Sequence, residues 1–148
     1  MATKNLPGIK NIDFISMNDL TLYPKKYISP GQTVMAIAKL NELGLVENGS
    51  CQYISEKMDG GLVYNTKINA VIYDDDITTP EVQNRLITGK YAYMLTDVYG
   101  CQYLIGIDSA PYPEIVFNNL NDSDPTGIRG ANVEITWKNR LPPIKLLS

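Results

Sequence analysis

The chain's two cysteines, Cys51 and Cys101, each open the same tripeptide, Cys-Gln-Tyr, at 51–53 and 101–103. Their spacing excludes the chemistry usually asked of such residues. A zinc site needs four closely spaced thiolate or imidazole ligands. Here two lone cysteines stand fifty positions apart in a chain with no histidine. A C-x-x-C redox pair is absent. A disulfide is allowed by count, but it depends on a distance that sequence does not carry. We expect two reduced thiols behaving as small hydrophobes, each in a β-strand. The lack of histidine also excludes Ser-His-Asp and Cys-His catalysis within one chain. Neither a Walker A run nor a G-x-G-x-x-G turn occurs.

Carboxylates offer two further candidates. Asp74-Asp75-Asp76 has the chemistry to hold a divalent cation or to do acid–base work, but before a helix such a cluster reads as a solvated turn. In Asp122–Gly127, the residues Asp122, Asp124, Thr126 and Gly127 imitate the first half of a calcium loop. Val133 stands where the bidentate glutamate belongs, and Asp124-Pro125 interrupts the loop, so a turn is expected. The sequons at Asn48 and Asn121 matter only on a secretory route. Ten tyrosines against two phenylalanines suit a glycan- or protein-contacting surface, and equally suit half-buried sheet edges. No metal or cofactor is expected.

Composition bounds the partners. A chain of 148 residues with 44% apolar and 20% charged residues reads as one ordinary globular domain. A net charge of −3 and a pI near 4.9 argue against tight or sequence-specific binding to nucleic acid, which calls for a basic patch. No apolar stretch is long enough for a membrane helix. The opening residues lack the apolar core of a signal peptide, so synthesis in a reducing cytoplasm is expected.

The elements that must position these residues are mostly strands. Both Cys-Gln-Tyr words follow glycine turn signals, Asn48-Gly49 and Asp97–Gly100, and read as return strands of hairpins. Ile9–Ser16 reads as a strand, and the proline-bearing run after it as edge strand or loop. Residues 32–43 mix helix-forming composition with an alternation of Val34, Ala36, Ala38 and Leu40. Strand is favoured because hairpin signals come directly after. The clearest strand is 61–75, which puts Tyr64, Thr66, Ile68, Ala70 and Ile72 on one face and Asn65, Lys67 and Asn69 on the other. Asp59-Gly60-Gly61 links it to the strand before. One short helix, about 79–88, is expected from Thr79 as cap, Pro80, Glu81 and the stop at Gly89. Further strands are expected at 90–97, 101–107, 114–119 and 131–139. The expected fold is mainly β: an antiparallel β-sandwich or partly closed barrel with one flanking α-helix. The domain is drawn over 1–140. The tail 141–148, broken by Pro142-Pro143 yet apolar at Leu141, Ile144, Leu146 and Leu147, is expected to be an arm that packs on a neighbouring subunit.

The run Lys90–Pro143 resembles small β-rich proteins of the tail and neck regions of phages and prophages of Bacteroidetes. Such proteins carry a D-x-x-G-x-x-Y-L-I-G hairpin, here Asp97, Gly100, Tyr103, Leu104, Ile105 and Gly106, and a closing strand that ends in proline. The resemblance implies a virion structural protein without an active site. It would be assembled in the host cytoplasm as a homo-oligomeric ring beside other virion proteins. An acidic chain suits a conduit through which DNA slides. A tyrosine-lined glycan-binding or adhesin module is the alternative, and an enzyme built on Asp74–Asp76 the third reading.

Overall fold

The computed structural model describes residues 3–23, 28, 30–74, 76–107, 111–120 and 130–147. The first strands are β1 (Thr3–Asn5), β2 (Ile9–Ser16), β3 (Leu20–Tyr23), β4 (Met35–Ala38) and β5 (Asn41–Glu42). Residues 32–43 therefore hold two short strands, in line with the strand reading. Val34 is buried, Ala36 and Ala38 are half-buried, and Met35 and Ile37 are exposed. Leu40 breaks the expected alternation by lying exposed.

Two long strands come next, β6 (Leu45–Met58) and β7 (Gly61–Tyr73). Their pairing runs to Met58 opposite Gly61, so Asp59-Gly60 is a two-residue turn. Gly60 and Gly61 take φ of 100° and 133°, conformations that side-chain-bearing residues resist. In β7, Thr66, Ile68, Ala70 and Ile72 are buried while Lys67 and Asn69 are exposed. The period-two reading of this strand therefore holds, with Tyr64 half-buried near the turn.

The first Cys-Gln-Tyr word does not open a return strand. The chain passes straight through Asn48-Gly49, which forms a β-bulge in β6 between Glu47 and Ser50. The positive φ of Asn48, 55°, serves the bulge rather than the expected turn. The reason lies in β7, which is long enough to pair with Leu45–Glu47 beyond the irregularity.

Helix α1 (Pro80–Thr88) has Thr79 at its N-cap and Pro80 in its first turn. The Thr79 hydroxyl does not cap; it donates back to the Asp76 carbonyl at 2.7 Å. Leu86 and the preceding Ile77 are buried, which seats the helix on the sheet. The remaining strands are β8 (Tyr91–Asp97), β9 (Gln102–Ile105), β10 (Glu114–Asn119), β11 (Gly130–Asn139) and β12 (Ile144–Lys145). Cys101 lies one residue ahead of β9 rather than within it. Cys51 is in β6 as expected.

The strand order is β10-β11-β7-β6-β2-β8-β9-β12, antiparallel and not closed. β1 and β5 add to β6 and β2, and β3-β4 form a separate two-stranded ribbon. A single register pair, Ile9 with Gly49, joins β2 to β6. The two halves on either side of that pair enclose one core. It is built from residues such as Ile12, Leu95 and Leu104 on one side and Ile68, Ile135 and Trp137 on the other. The fold is thus mainly β and antiparallel with one short helix, as expected, and its unclosed sheet is consistent with the expected sandwich or partly closed barrel.

The tail corrects the expectation of an outgoing arm and of a domain ending at residue 140. Ile144 and Lys145 pair with Leu104 and Tyr103 of β9. The Leu146 N–H donates to the Gln102 carbonyl, the Val34 N–H to the Lys145 carbonyl and the Leu147 N–H to the Val34 carbonyl, each at 2.9 Å. Leu141, Ile144 and Leu146 are buried in their own chain; only Leu147 is exposed, at 59%. Pro142-Pro143 bends the chain rather than ending its structure, and the open edge of β9 pairs with the residues beyond the prolines. Residues 141–147 belong to the domain.

Candidate functional site

The acidic cluster builds no site among the described residues. Asp75 lies outside them. Asp76 spends its carbonyl on the Thr79 N–H, at 3.0 Å, and hydroxyl, which makes this segment the turn into α1. Asp122–Gly127 also lies outside the described residues. Among those described, no group of three or more Cys, Asp or Glu side chains is close enough to hold a metal ion.

Both cysteines are free. Cys51 is buried, and loss of solvation pushes its thiol up to about 12, which removes it from thiolate chemistry at neutral pH. Cys101 is half-buried, and its N–H donates to Asp97 Oδ1 at 2.9 Å. Asp97 is itself buried, and the same oxygen accepts the Tyr99 N–H at 2.9 Å. The Asp97 N–H reaches the Cys101 carbonyl, and Gly100 sits at φ 87°. The D-x-x-G spacing is therefore turn chemistry: an aspartate that collects the loose N–H groups of its own hairpin. The Gly106 that ends the motif has φ 107°, and a Cβ there would lie 2.9 Å from Pro113.

The described tyrosines do not line one groove. Tyr93 is buried, while Tyr53 and Tyr64, both half-buried, meet edge-to-face at 6.1 Å. Tyr99 is 80% exposed, alone with Val98 at the tip of the β8-β9 hairpin. Tyr23 lies elsewhere, on the β3-β4 ribbon.

Two surfaces stand out among the described residues. The first is the outer face of that ribbon. Tyr23 stands opposite Met35, and Ile37 is next on the same face; all three are at least 40% exposed. On the other side of the ribbon lies a cleft of about 180 Å³ lined by Ala36, Ala38, Leu40, Gln102, Leu146 and Leu147 among others. Of the four interface candidates, Leu146 and Leu147 thus reach a shared surface feature. Leu141 and Ile144 are core.

The second is the outer face of β10, β11, β7 and β6. Cross-strand register sets Asn118 beside Asn132, and Glu134 beside Asn69. A groove of about 460 Å³ runs along these residues and takes in Asn48, Val71 and Val116. A neighbouring hollow of about 300 Å³ includes Gln52, Asn65, Lys67, Thr136 and the same Glu134. Lys67 and Glu134 pair across the seam at 3.4 Å. The sequence showed Asn65, Lys67 and Asn69 on the face away from the core. Their alignment with Asn118 and Asn132 was invisible, because register between distant strands is a tertiary property.

One buried carboxylate also escaped sequence reasoning. Asp13 on β2 is 7% exposed and accepts the Asn11 side-chain amide at 3.2 Å. Burial, and then the Glu42 carboxylate facing it from β5, raise its carboxyl above the usual range. It marks where the short β5 covers β2 and gathers no further catalytic partner among the described residues. Compared with known proteins, the chain matches no family model, no curated sequence and no solved structure.

Proposed function

We propose that this protein is a non-enzymatic structural subunit of a phage virion, in the tail or neck region, that assembles with copies of itself into a ring. The observation that carries the reading is the β3-β4 ribbon. Its two strands pair with each other rather than with the main sheet, its inner face seats Leu22 in the core, and its outer face keeps Tyr23, Met35 and Ile37 exposed, with a cleft at Leu40 and Leu147 on its inner side. Large apolar side chains exposed together on the outer face of a ribbon mark a contact with another protein. The β6-β7 hairpin supports the same reading. It runs past the end of β11, which stops at Asn139 opposite Tyr64, and carries exposed Met58 and Leu62 near its tip. A compact domain with exposed apolar side chains on a ribbon and a hairpin tip suits stacking subunits, and the hairpin of Asp97–Gly106 resembles that of the same class of protein.

The test is solution mass by sedimentation velocity, with Met35→Glu and Ile37→Glu introduced together. The intact chain is expected to sediment as an oligomer of defined order and the double variant as a folded monomer. An intact chain that remains monomeric at high micromolar concentration overturns the reading.

A further inference from the structure

We propose that the outer face of the β10-β11-β7-β6 half binds a neutral oligosaccharide along the groove that runs from Asn118 to Gln52. This goes beyond the structural role and does not depend on it.

The argument begins with unspent hydrogen-bonding capacity. Asn48, Asn69, Asn118 and Asn132 converge on one groove, all four exposed and none engaged by another side chain or backbone group of the described residues. Each primary amide carries donors and an acceptor side by side. Adjacent hydroxyls of a sugar need that same combination, since each both donates and accepts. Asn118 and Asn132 are direct cross-strand neighbours, which sets two such amides side by side. Val71 and Val116, the latter 61% exposed, supply apolar surface between the amides for the C–H face of a sugar ring.

Charge then selects among ligands. The cation nearest the seam, Lys67, is paired with Glu134, and Glu47 and Glu114 border the face. Phosphate-bearing ligands meet no free basic cluster here. A protein partner is also disfavoured: of the Trp, Tyr and Arg anchors that dominate protein interfaces, the two linings contain Tyr53 alone. The two hollows meet at Glu134, so the surface is elongated and suits a chain of sugars rather than one ring.

The bulge is the structural device that completes the groove. It holds Asn48 at φ 55° and delivers its side chain to the outer face. Gly49 permits this, since a Cβ there would run into the Ile9 carbonyl. Bulges commonly re-aim a side chain beside a binding site, and a non-glycine residue at positive φ is tolerated where the surroundings over-determine it.

The experiment is an amide-resolved NMR titration of the full chain with maltohexaose, cellohexaose and chitohexaose, at millimolar concentrations. The expected result is saturable shifts at the Asn69, Asn118 and Asn132 side-chain amides with at least one of the three. Asn69→Ala combined with Asn132→Ala is expected to weaken that binding by about tenfold or more. Both positions are exposed, so melting temperature and oligomeric mass should stay unchanged, which separates this outcome from any failure of assembly. Three outcomes overturn the proposal: no saturable shift with any of the three sugars, shifts that the double variant leaves intact, or a response in this groove to a short oligothymidylate in place of sugar.

Discussion

Ile9 faces Gly49 in the single register pair that ties β2 to β6 and so joins the two halves of the fold. The approach is close enough that a Cβ on Gly49 would strike the Ile9 carbonyl and come within 2.9 Å of Val46 Cγ1. Backbone on one side and a packed valine on the other leave little room to yield. Gly49→Ala is therefore expected to destabilise the protein by about 1–3 kcal/mol, as overpacking does. Asn48→Gly relaxes the positive φ and is expected to stay within about 0.5 kcal/mol. Urea denaturation of both variants checks this; equal midpoints would mean that the seam is loose.

Ile68 and Lys67 are neighbours on opposite faces of β7, 1% and more than a third exposed. Ile68→Ala should cost about 2–5 kcal/mol. Lys67→Ala should cost no more than about 0.5 kcal/mol, because its ion pair with Glu134 is solvent-screened on both sides. Chemical denaturation that found similar costs for the two would reverse the assignment of faces.

Truncation after Arg140 is expected to unfold or severely destabilise the protein rather than release monomers from an assembly. It removes Leu141, Ile144 and Leu146, all buried in their own chain. Each contributes about 1.5–3 kcal/mol of burial, a loss comparable to the whole stability of a small domain. Leu147→Ala, at an exposed site, should leave the melting temperature unchanged. A truncated chain that stays folded, by circular dichroism, would restore the arm.

Thr66 is fully buried, and its hydroxyl has no hydrogen-bond partner among the described residues. It sits between Tyr53 and Trp137 across the sheet. Thr66→Val keeps the shape and removes the stranded polar group, so it should stabilise by about 1 kcal/mol. A thermal melt that shifts downward instead would show that the hydroxyl is satisfied.

Alkaline pH should weaken the fold through Cys51. Its thiol is raised to about 12 in the folded chain from an ordinary value of 9.0, and burial is the cause. Because the folded value lies above the unfolded one, this contribution is whole below pH 9 and declines above it, by about 1.4 kcal/mol per pH unit until the folded thiol ionises. Cys51→Ala should make the alkaline decline of stability shallower. Buried Tyr93, raised in the same direction, adds to the decline only above the ordinary tyrosine range. Unfolding measured from pH 8 upward that gives parallel slopes for both chains would exclude Cys51 as the group concerned.

The sequence by itself determined the features that neighbours along the chain control. The alternation of Thr66, Ile68, Ala70 and Ile72 sets the buried face of β7 whatever it pairs with. Asp59-Gly60 dictates a tight turn because glycine alone takes those dihedral angles cheaply. Asp97 and Gly100 define a hairpin within a few residues. Only the tertiary structure could decide the features that depend on partners far away in the chain. Asn48-Gly49 carries the same local signal for a turn and for a bulge, and the reach of β7 chose the bulge. Pro142-Pro143 ends any local pattern, yet β9 and Val34 offered backbone partners that drew the tail home. The asparagines of the outer face sit on separate strands, and their convergence comes from register, which is fixed by long-range hydrogen bonding and by the core beneath rather than by the residues themselves.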